Sequence, residues 1–154
     1  MNETVIWYLC RWLSIGMLLV SLMSGMSLAA SQNSSLSQDI RSTIELARTA
    51  WIDRDADALA QLFTEDGILI VPGQRWQGRD RIRSEIAKFA RDYTDVSISI
   101  HRIIIDRNLA AVEWHYEDTA KATGKRNRSD DAIVIEVENG RISYWREYFD
   151  PAGK

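Results

Sequence analysis

Two carboxylates near the end of the chain occupy strand-like stretches where a plain core strand would carry valine or isoleucine. Asp131 lies in the apolar run DDAIVIEVE, and Glu147 lies among the aromatic residues of ISYWREYFDP, residues 142–151. Two acids held close on a partly buried face cannot both ionise cheaply, so one keeps its proton to higher pH. One group poised as acid beside one poised as base is a usable catalytic pair. Whether the two share a face depends on the register of the hairpin that joins them. With Asn139-Gly140 as a two-residue turn, Glu138 pairs with Arg141, Asp131 with Tyr148 and Ile133 with Arg146. With a three-residue loop, Glu138-Asn139-Gly140, and Gly140 left-handed, Val137 pairs with Arg141, Ile133 with Trp145 and Asp131 with Glu147. Directly opposed residues share a face about 5 Å apart. Alternation alone leaves both registers open, because Ile142, Tyr144 and Tyr148 form an equally acceptable inward set. Asp131 could also serve only as a strand-start cap, or as a partner for Arg126 or Arg128.

The elements that must position these residues follow from the spacing of apolar side chains. From Ser37, read as an N-cap, Ile40, Ile44, Ala47 and Trp51 form the stripe of an amphipathic helix. DRDAD interrupts it, and ALAQLF supplies a second short helix ending near Thr64. GILIVP reads as a short buried strand closed by Pro72-Gly73. A third helix follows QGRD, with Ile82, Ile86 and Phe89 on its apolar face. Arg81, Arg83, Glu85 and Lys88 are expected on its solvated face. After Tyr93 the period changes from helical to alternating. Val96, Ile98 and Ile100 share one face of the first strand, and Val112, Trp114 and Tyr116 one face of the second. Asp131, Ile133, Ile135 and Val137 do so in the third, and ISYWREYF ends the sheet. Turns at Asp106-Arg107-Asn108, around Gly124 and at Glu138-Asn139-Gly140 make these four strands an antiparallel meander. With three helices on one face, the fold class is α+β.

The chain has 154 residues, of which 45% are hydrophobic, enough for one domain with a real core. A formal charge of −3 offers no basic stripe to follow a phosphate backbone, so nucleic acid is not an expected partner. Residues 12–30 are apolar and uncharged behind Arg11, with small residues at Ser27-Leu28-Ala29. Residues 1–29 therefore read as a signal peptide, or as a membrane anchor if uncleaved, and residues 30–36 as a polar linker. The folded part is expected to be secreted or periplasmic. Cleavage removes only Glu3 and Arg11 among the charged side chains, and with them Cys10, the only cysteine. With two histidines and no cysteine in the folded part, neither a transition-metal site nor any other cofactor is expected. Neither His101 nor His115 is expected inside, so no Ser-His-Asp arrangement is suggested.

The element order and the segments LFTEDGILIVPG, WQGRDRI and DDAIVIEVENGRISYWREYFDP resemble the SnoaL-like branch of the nuclear transport factor 2-like superfamily, over residues 37–151. That resemblance implies a cone, in which a strongly curved antiparallel sheet wraps three N-terminal helices and encloses an apolar pocket. Members include polyketide cyclases, ketosteroid isomerases, dehydratases, epoxide hydrolases and many non-catalytic binding or dimerisation modules. Laid on this chain, the ketosteroid isomerase pattern puts Ala47 where that group has a tyrosine, and Val71 where it has its general-base aspartate. Only its second, protonated aspartate finds a match, at Asp131, so steroid isomerase chemistry of that type is not implied. The same resemblance turns Val112, Trp114, Tyr116 and Asp118 toward the pocket, with Ile133, Trp145, Glu147 and Phe149. It brings Trp51 and Trp76 to the mouth, the latter from a loop before the third helix, and it favours the three-residue loop. The outer sheet face, with Glu113, His115, Glu117, Tyr144 and Tyr148, is where members often form a homodimer. Two readings follow. One is cofactor-independent acid/base chemistry by Asp131 and Glu147 on a small, largely apolar, oxygenated molecule, of isomerase, cyclase or dehydratase type. The other is a non-catalytic ligand-binding or dimerisation module.

Overall fold

The computed structural model describes residues 32–151. The proposed signal peptide or anchor at residues 1–29 lies outside the described residues. Contacts divide the chain into two compact units after Leu36. In the first, residues 32–36 are helical, and Ser35 Oγ donates to the Gln32 carbonyl at 2.9 Å. Residues 32–36 of the expected linker are thus helix, and Ser37 lies within helix α1 (residues 32–53) rather than capping it. A polar composition suits a solvated helix as well as a linker, so composition alone does not separate the two.

In the second unit, α1 buries the expected stripe, with Ile40, Ile44 and Ala47 fully covered and Trp51 nearly so. Arg54 turns the chain at φ +58°, and Asp55 caps α2 (Ala56–Gln61), its carboxylate accepting from Ala58 N at 2.9 Å. The second helix ends before the expected Thr64, because Phe63 already opens strand β1 (Phe63–Val71). Pro72 and Gly73, with Gly73 at φ +81°, supply the turn into β2 (Gln74–Gln77). Trp76 therefore sits on a strand, pairing with Leu69, where a loop was expected. Four residues are too few for alternation to show. Helix α3 (Arg79–Asp92) follows, then β3 (Tyr93–Asp106), β4 (Leu109–Ala120), β5 (Arg126–Glu138) and β6 (Arg141–Pro151).

The sheet is six-stranded, curved and unclosed, in the order β2-β1-β6-β5-β4-β3. The expected antiparallel meander is β3 to β6, and β1 joins it parallel to β6. Gly67 allows that junction: a Cβ there would lie 3.1 Å from the Ile142 carbonyl and 3.2 Å from the Phe63 side chain.

The β5–β6 register follows neither expected pairing. Asn139 and Gly140 both have positive φ, +50° and +74°, as a two-residue type I′ turn requires. Glu138 accordingly pairs with Arg141 and Val137 with Ile142, and the three-residue loop is not formed. A β-bulge then places Ser143 as an extra residue, so that Glu136 pairs with Tyr144 and Ile135 with Trp145. Beyond it, Ile133 lies opposite Glu147, and Asp131 opposite Phe149. The bulge restores the face parity of the three-residue loop, with the pairs offset by two residues. Trp145 and Glu147 are buried on the same face as Asp131 and Ile133, while Arg146 and Tyr148 are exposed.

Candidate functional site

The inner faces of β4, β5 and β6, with α1, β2 and α3 above them, enclose a cavity of about 740 Å³. Its floor carries three buried carboxyl groups, Asp118, Asp131 and Glu147. Each is held by donors from the same elements. Trp114 Nε1 donates to Asp131 Oδ2 at 3.0 Å, and Trp145 Nε1 to Glu147 Oε1 at 2.7 Å. Asp118 accepts from Tyr116 Oη and from Asn127 Nδ2, both at 2.7 Å. Strand alternation and cross-strand pairing explain all four, Asn127 lying directly opposite Asp118. Trp145 and Glu147, like Tyr116 and Asp118, are two residues apart and so point the same way. Trp114 is directly opposite Asp131 across the β4–β5 ladder.

Asp131 and Glu147 are diagonal neighbours, two residue pairs apart along the β5–β6 ladder, so their Cα atoms lie about 7–8 Å apart. Burial pushes the Glu147 carboxyl up to about 8, against the opposing pull of the Trp145 hydrogen bond and with a further rise from the nearby Asp131 charge. Burial also raises Asp131, but Ser129 and Trp114 favour its charged form, while the neighbouring Asp130 charge adds to the rise. The pair therefore differs in environment: around neutral pH Glu147 keeps its proton. Asp131 Oδ1 is enclosed by protein, and the Ser129 hydroxyl beside the carboxyl is the group that favours its charged form most. The Tyr116 hydroxyl is pushed well above its ordinary range, first by burial and then by its bond to Asp118.

The walls are largely aromatic. Trp51 meets Phe89 edge to face at 5.4 Å, and Phe89 stacks on Tyr93 at 5.0 Å. Trp76 stands on β2, its Nε1 donating to Gln74 Oε1 at 3.2 Å. Of the residues expected at the pocket, Trp51, Trp76, Trp114, Tyr116, Asp118 and Phe149 line the cavity with Asp131 and Glu147. Phe149 is about half exposed, at the mouth. Val112, Ile133 and Trp145 face the same way but lie in the core without lining the cavity, at 1%, 1% and 0% exposure. Trp145 packs against Trp114 at 5.7 Å and Phe63 at 6.5 Å, so it acts on the site through its bond to Glu147 and its packing on Trp114.

Sequence reasoning missed the contribution of α3. Glu85 is buried and lines the cavity, bound by Lys88 Nζ at 2.6 Å and Arg81 at 2.9 Å. Those bonds, Lys88 foremost, hold its carboxyl below the usual range. The i,i+3 and i,i+4 spacing of these charges was the available signal. It marks a pairing without saying that the helix turns the pair toward a cavity. His115 lies on the opposite sheet face, between Asp130 at 2.8 Å and Glu117 at 3.3 Å, and His101 is exposed. Among the described residues, no group of three or more His, Cys, Asp or Glu side chains is placed to hold a metal ion.

The sequence matches the SnoaL-like domain family over residues 44–145. No curated protein matches it. Among solved structures, the chain is similar to an epoxide hydrolase from M. tuberculosis, at 25% identity and a TM-score of 0.66, over 75% of this chain and 85% of that one. It is similar to a protein of ketosteroid isomerase-like fold from Catenulispora acidiphila, solved with trimethylamine, at 19% identity and a TM-score of 0.66, over 70% and 85%. A candidate polyketide cyclase from Xanthomonas campestris shares 17% identity at a TM-score of 0.63, over 73% and 91%. The family match spans most of the chain, and these structures repeat its helices and curved sheet. The protein belongs to the SnoaL-like family, with the cone fold of the nuclear transport factor 2-like superfamily.

Proposed function

We propose that the cavity binds a small, largely apolar, oxygenated molecule and moves a proton on it, with Glu147 as acid and Asp131 as base. The observation that carries this reading is the pair of buried carboxyls on one cavity floor, each steadied by a tryptophan N–H and both raised by burial, Glu147 to about 8. In an enolisation, the Asp131 carboxylate takes the proton of a C–H bond next to a carbonyl. Glu147 donates its own proton to the carbonyl oxygen, and the reverse step returns both. Isomerisation, cyclisation and dehydration are built from such transfers. Epoxide opening, the activity named for the M. tuberculosis protein, uses the same two roles on a ring oxygen and a water.

A substrate-independent test is deuterium uptake from solvent at the carbon next to the carbonyl of small cyclic ketones, followed by mass spectrometry. The Asp131→Asn, Glu147→Gln double variant is expected to lose about a hundred- to ten-thousand-fold in rate. A parent that exchanges no faster than the variant would rule out turnover, and the cavity would then stand as a binding module.

We further propose that the protein is a homodimer through the outer sheet face. Ile104, Ala111, Val134 and Arg146 form one cross-strand row there, and Ile104 is 58% and Val134 38% exposed. Tyr148, with the Arg146 guanidinium 4.9 Å above its ring, extends the patch. Contiguous apolar surface of this kind is what an interface covers. Sedimentation is expected to show a dimer that Val134→Glu converts to monomer. A parent that sediments as a monomer at high concentration sinks the proposal.

A further inference from the structure

We propose that the cleft between α1, α2 and α3 is a second binding site, for a small organic oxyanion. Arg79 and Arg141 hold its phosphoryl or carboxylate group, and its apolar body lies on α1 and α2. The cleft measures about 730 Å³ and shares no lining residue with the cavity of the carboxyl floor. Small-molecule sites run from roughly 300 to 1,000 Å³. The fold brings the two arginines together where α2 ends. Three consecutive carbonyls leave the helix there, and each is met by a donor from another element. Arg141 Nη1 donates to the Gln61 carbonyl, and Ile142 N to that of Leu62 at 2.8 Å. Arg79 donates to the Phe63 carbonyl through Nε at 3.2 Å and Nη2 at 2.9 Å. Gln61 and Phe63 are two residues apart, at most about 7 Å of chain, so the two guanidinium groups are neighbours.

The charge of this pair is left uncancelled. A carbonyl is neutral, and these bonds occupy only some of the N–H donors of each guanidinium. Among the described residues, Arg141 has no carboxylate partner. Arg79 has Glu65 at 3.8 Å, too long for a hydrogen bond, and that side chain is 92% exposed, where water and salt screen it. Arg83, the third arginine of the cleft, instead lies between Asp57 at 2.8 Å and Asp80 at 2.9 Å. Asp53 and Asp55 also line the cleft, but at the other end of α2, where Asp55 is spent on the Ala58 N–H. The chain rises about 9 Å between Asp55 and Gln61, so these acids stand away from the arginine end. The carbonyl anchors also fix both forks before a ligand arrives, which lowers the ordering cost of binding an oxyanion. The cleft has an apolar side as well. Leu46 lines it one turn before Ala50, outside the stripe that α1 buries in the core, and is 58% exposed. Ala58 and Leu62 of the α2 segment line it too. An apolar body attached to the oxyanion covers this surface.

Isothermal titration with phenyl phosphate at low salt tests this. It is expected to bind at least about tenfold more tightly than phenol, which lacks the charge, or inorganic phosphate, which lacks the apolar body. Arg141→Gln should weaken it at least about tenfold. Arg141 is exposed, so this variant keeps its fold, which its thermal unfolding checks. Glu147→Gln, in the other cavity, should bind phenyl phosphate as the parent does. Benzoate, titrated beside it, decides between phosphoryl and carboxylate, the tighter ligand naming the group. Phenol bound as tightly by the parent overturns the anion assignment, and inorganic phosphate bound as tightly overturns the apolar body. Binding undiminished in Arg141→Gln, or lost in Glu147→Gln, puts the anion elsewhere and overturns the site. A parent that binds neither phenyl phosphate nor benzoate overturns the whole proposal. None of these outcomes bears on deuterium exchange at the carboxyl floor, so the two sites stand or fall separately.

Discussion

Replacing Glu147 by glutamine should stabilise the protein by about 4–5 kcal/mol near pH 9 and leave it unchanged near pH 4. The carboxyl is 8% exposed, and burial raises it from 4.5 to about 8 in the folded protein. Between those values the folded chain holds a proton that the unfolded chain has released. Stability therefore falls as pH rises through this window, by about 1.4 kcal/mol for each pH unit. Above about pH 8 both states are ionised and the whole cost remains; below about pH 4.5 both are protonated and there is none. Glutamine keeps an oxygen for Trp145 Nε1 and cannot ionise, so the difference between variant and parent isolates this one group. Urea unfolding of the two proteins at several pH values measures it. If the difference is the same at every pH, Glu147 is not held protonated, and its role as an acid is lost with it. A buried group that destabilises its own fold across the neutral range is the usual mark of a functional site.

The second large effect is expected at Trp145. Trp145→Ala should cost about 3–5 kcal/mol, because it empties a fully buried volume between Phe63 and Trp114. Trp145→Phe restores most of that packing and removes only the N–H. It should cost about 1–3 kcal/mol, the penalty of leaving the Glu147 oxygen without its donor. The two substitutions also separate packing from electrostatics. Trp145 Nε1 pulls the Glu147 carboxyl down, so its loss lets Glu147 hold its proton to still higher pH. In Trp145→Phe the pH at which stability stops falling should move upward. Denaturant titrations across pH show both quantities. A Phe variant as stable as the parent, with an unmoved pH profile, would mean that the indole N–H does nothing for the site.

The division between what was legible in the chain and what was not can be followed residue by residue. Helical spacing found the buried stripe Ile40, Ile44, Ala47 and Trp51, and alternation found the inward sets of β4 and β5. These signals are strong because each counts many side chains that must all leave water together. The short hairpin strand with Trp76 had no such repetition, and Glu85 looked like any charge on a solvated helix. Its burial depends on what α3 packs against, which its own spacing does not encode. The parallel contact of β1 with β6 joins segments about eighty residues apart and leaves no local trace.

The last strand shows the limit most clearly. By itself the sequence determined that Asp131 and Glu147 lie on strands, that an Asn-Gly turn lies between them, and that each strand has two opposed faces. Combined with the family resemblance, it also assigned Trp145 and Glu147 to the inner face. Only the tertiary structure decided how that face is reached, by a two-residue turn followed by a bulge at Ser143. It also decided that Asp131 meets Glu147 diagonally rather than directly. The physical reason is that burial of a strand face selects parity, which is unchanged by a shift of two residues. One inserted residue reverses parity, and nothing in the composition of Ile142-Ser143-Tyr144 announces the insertion. The core supplies it: the bulge lets Ile142 and Trp145 both be fully buried, three residues apart on a strand whose period is two.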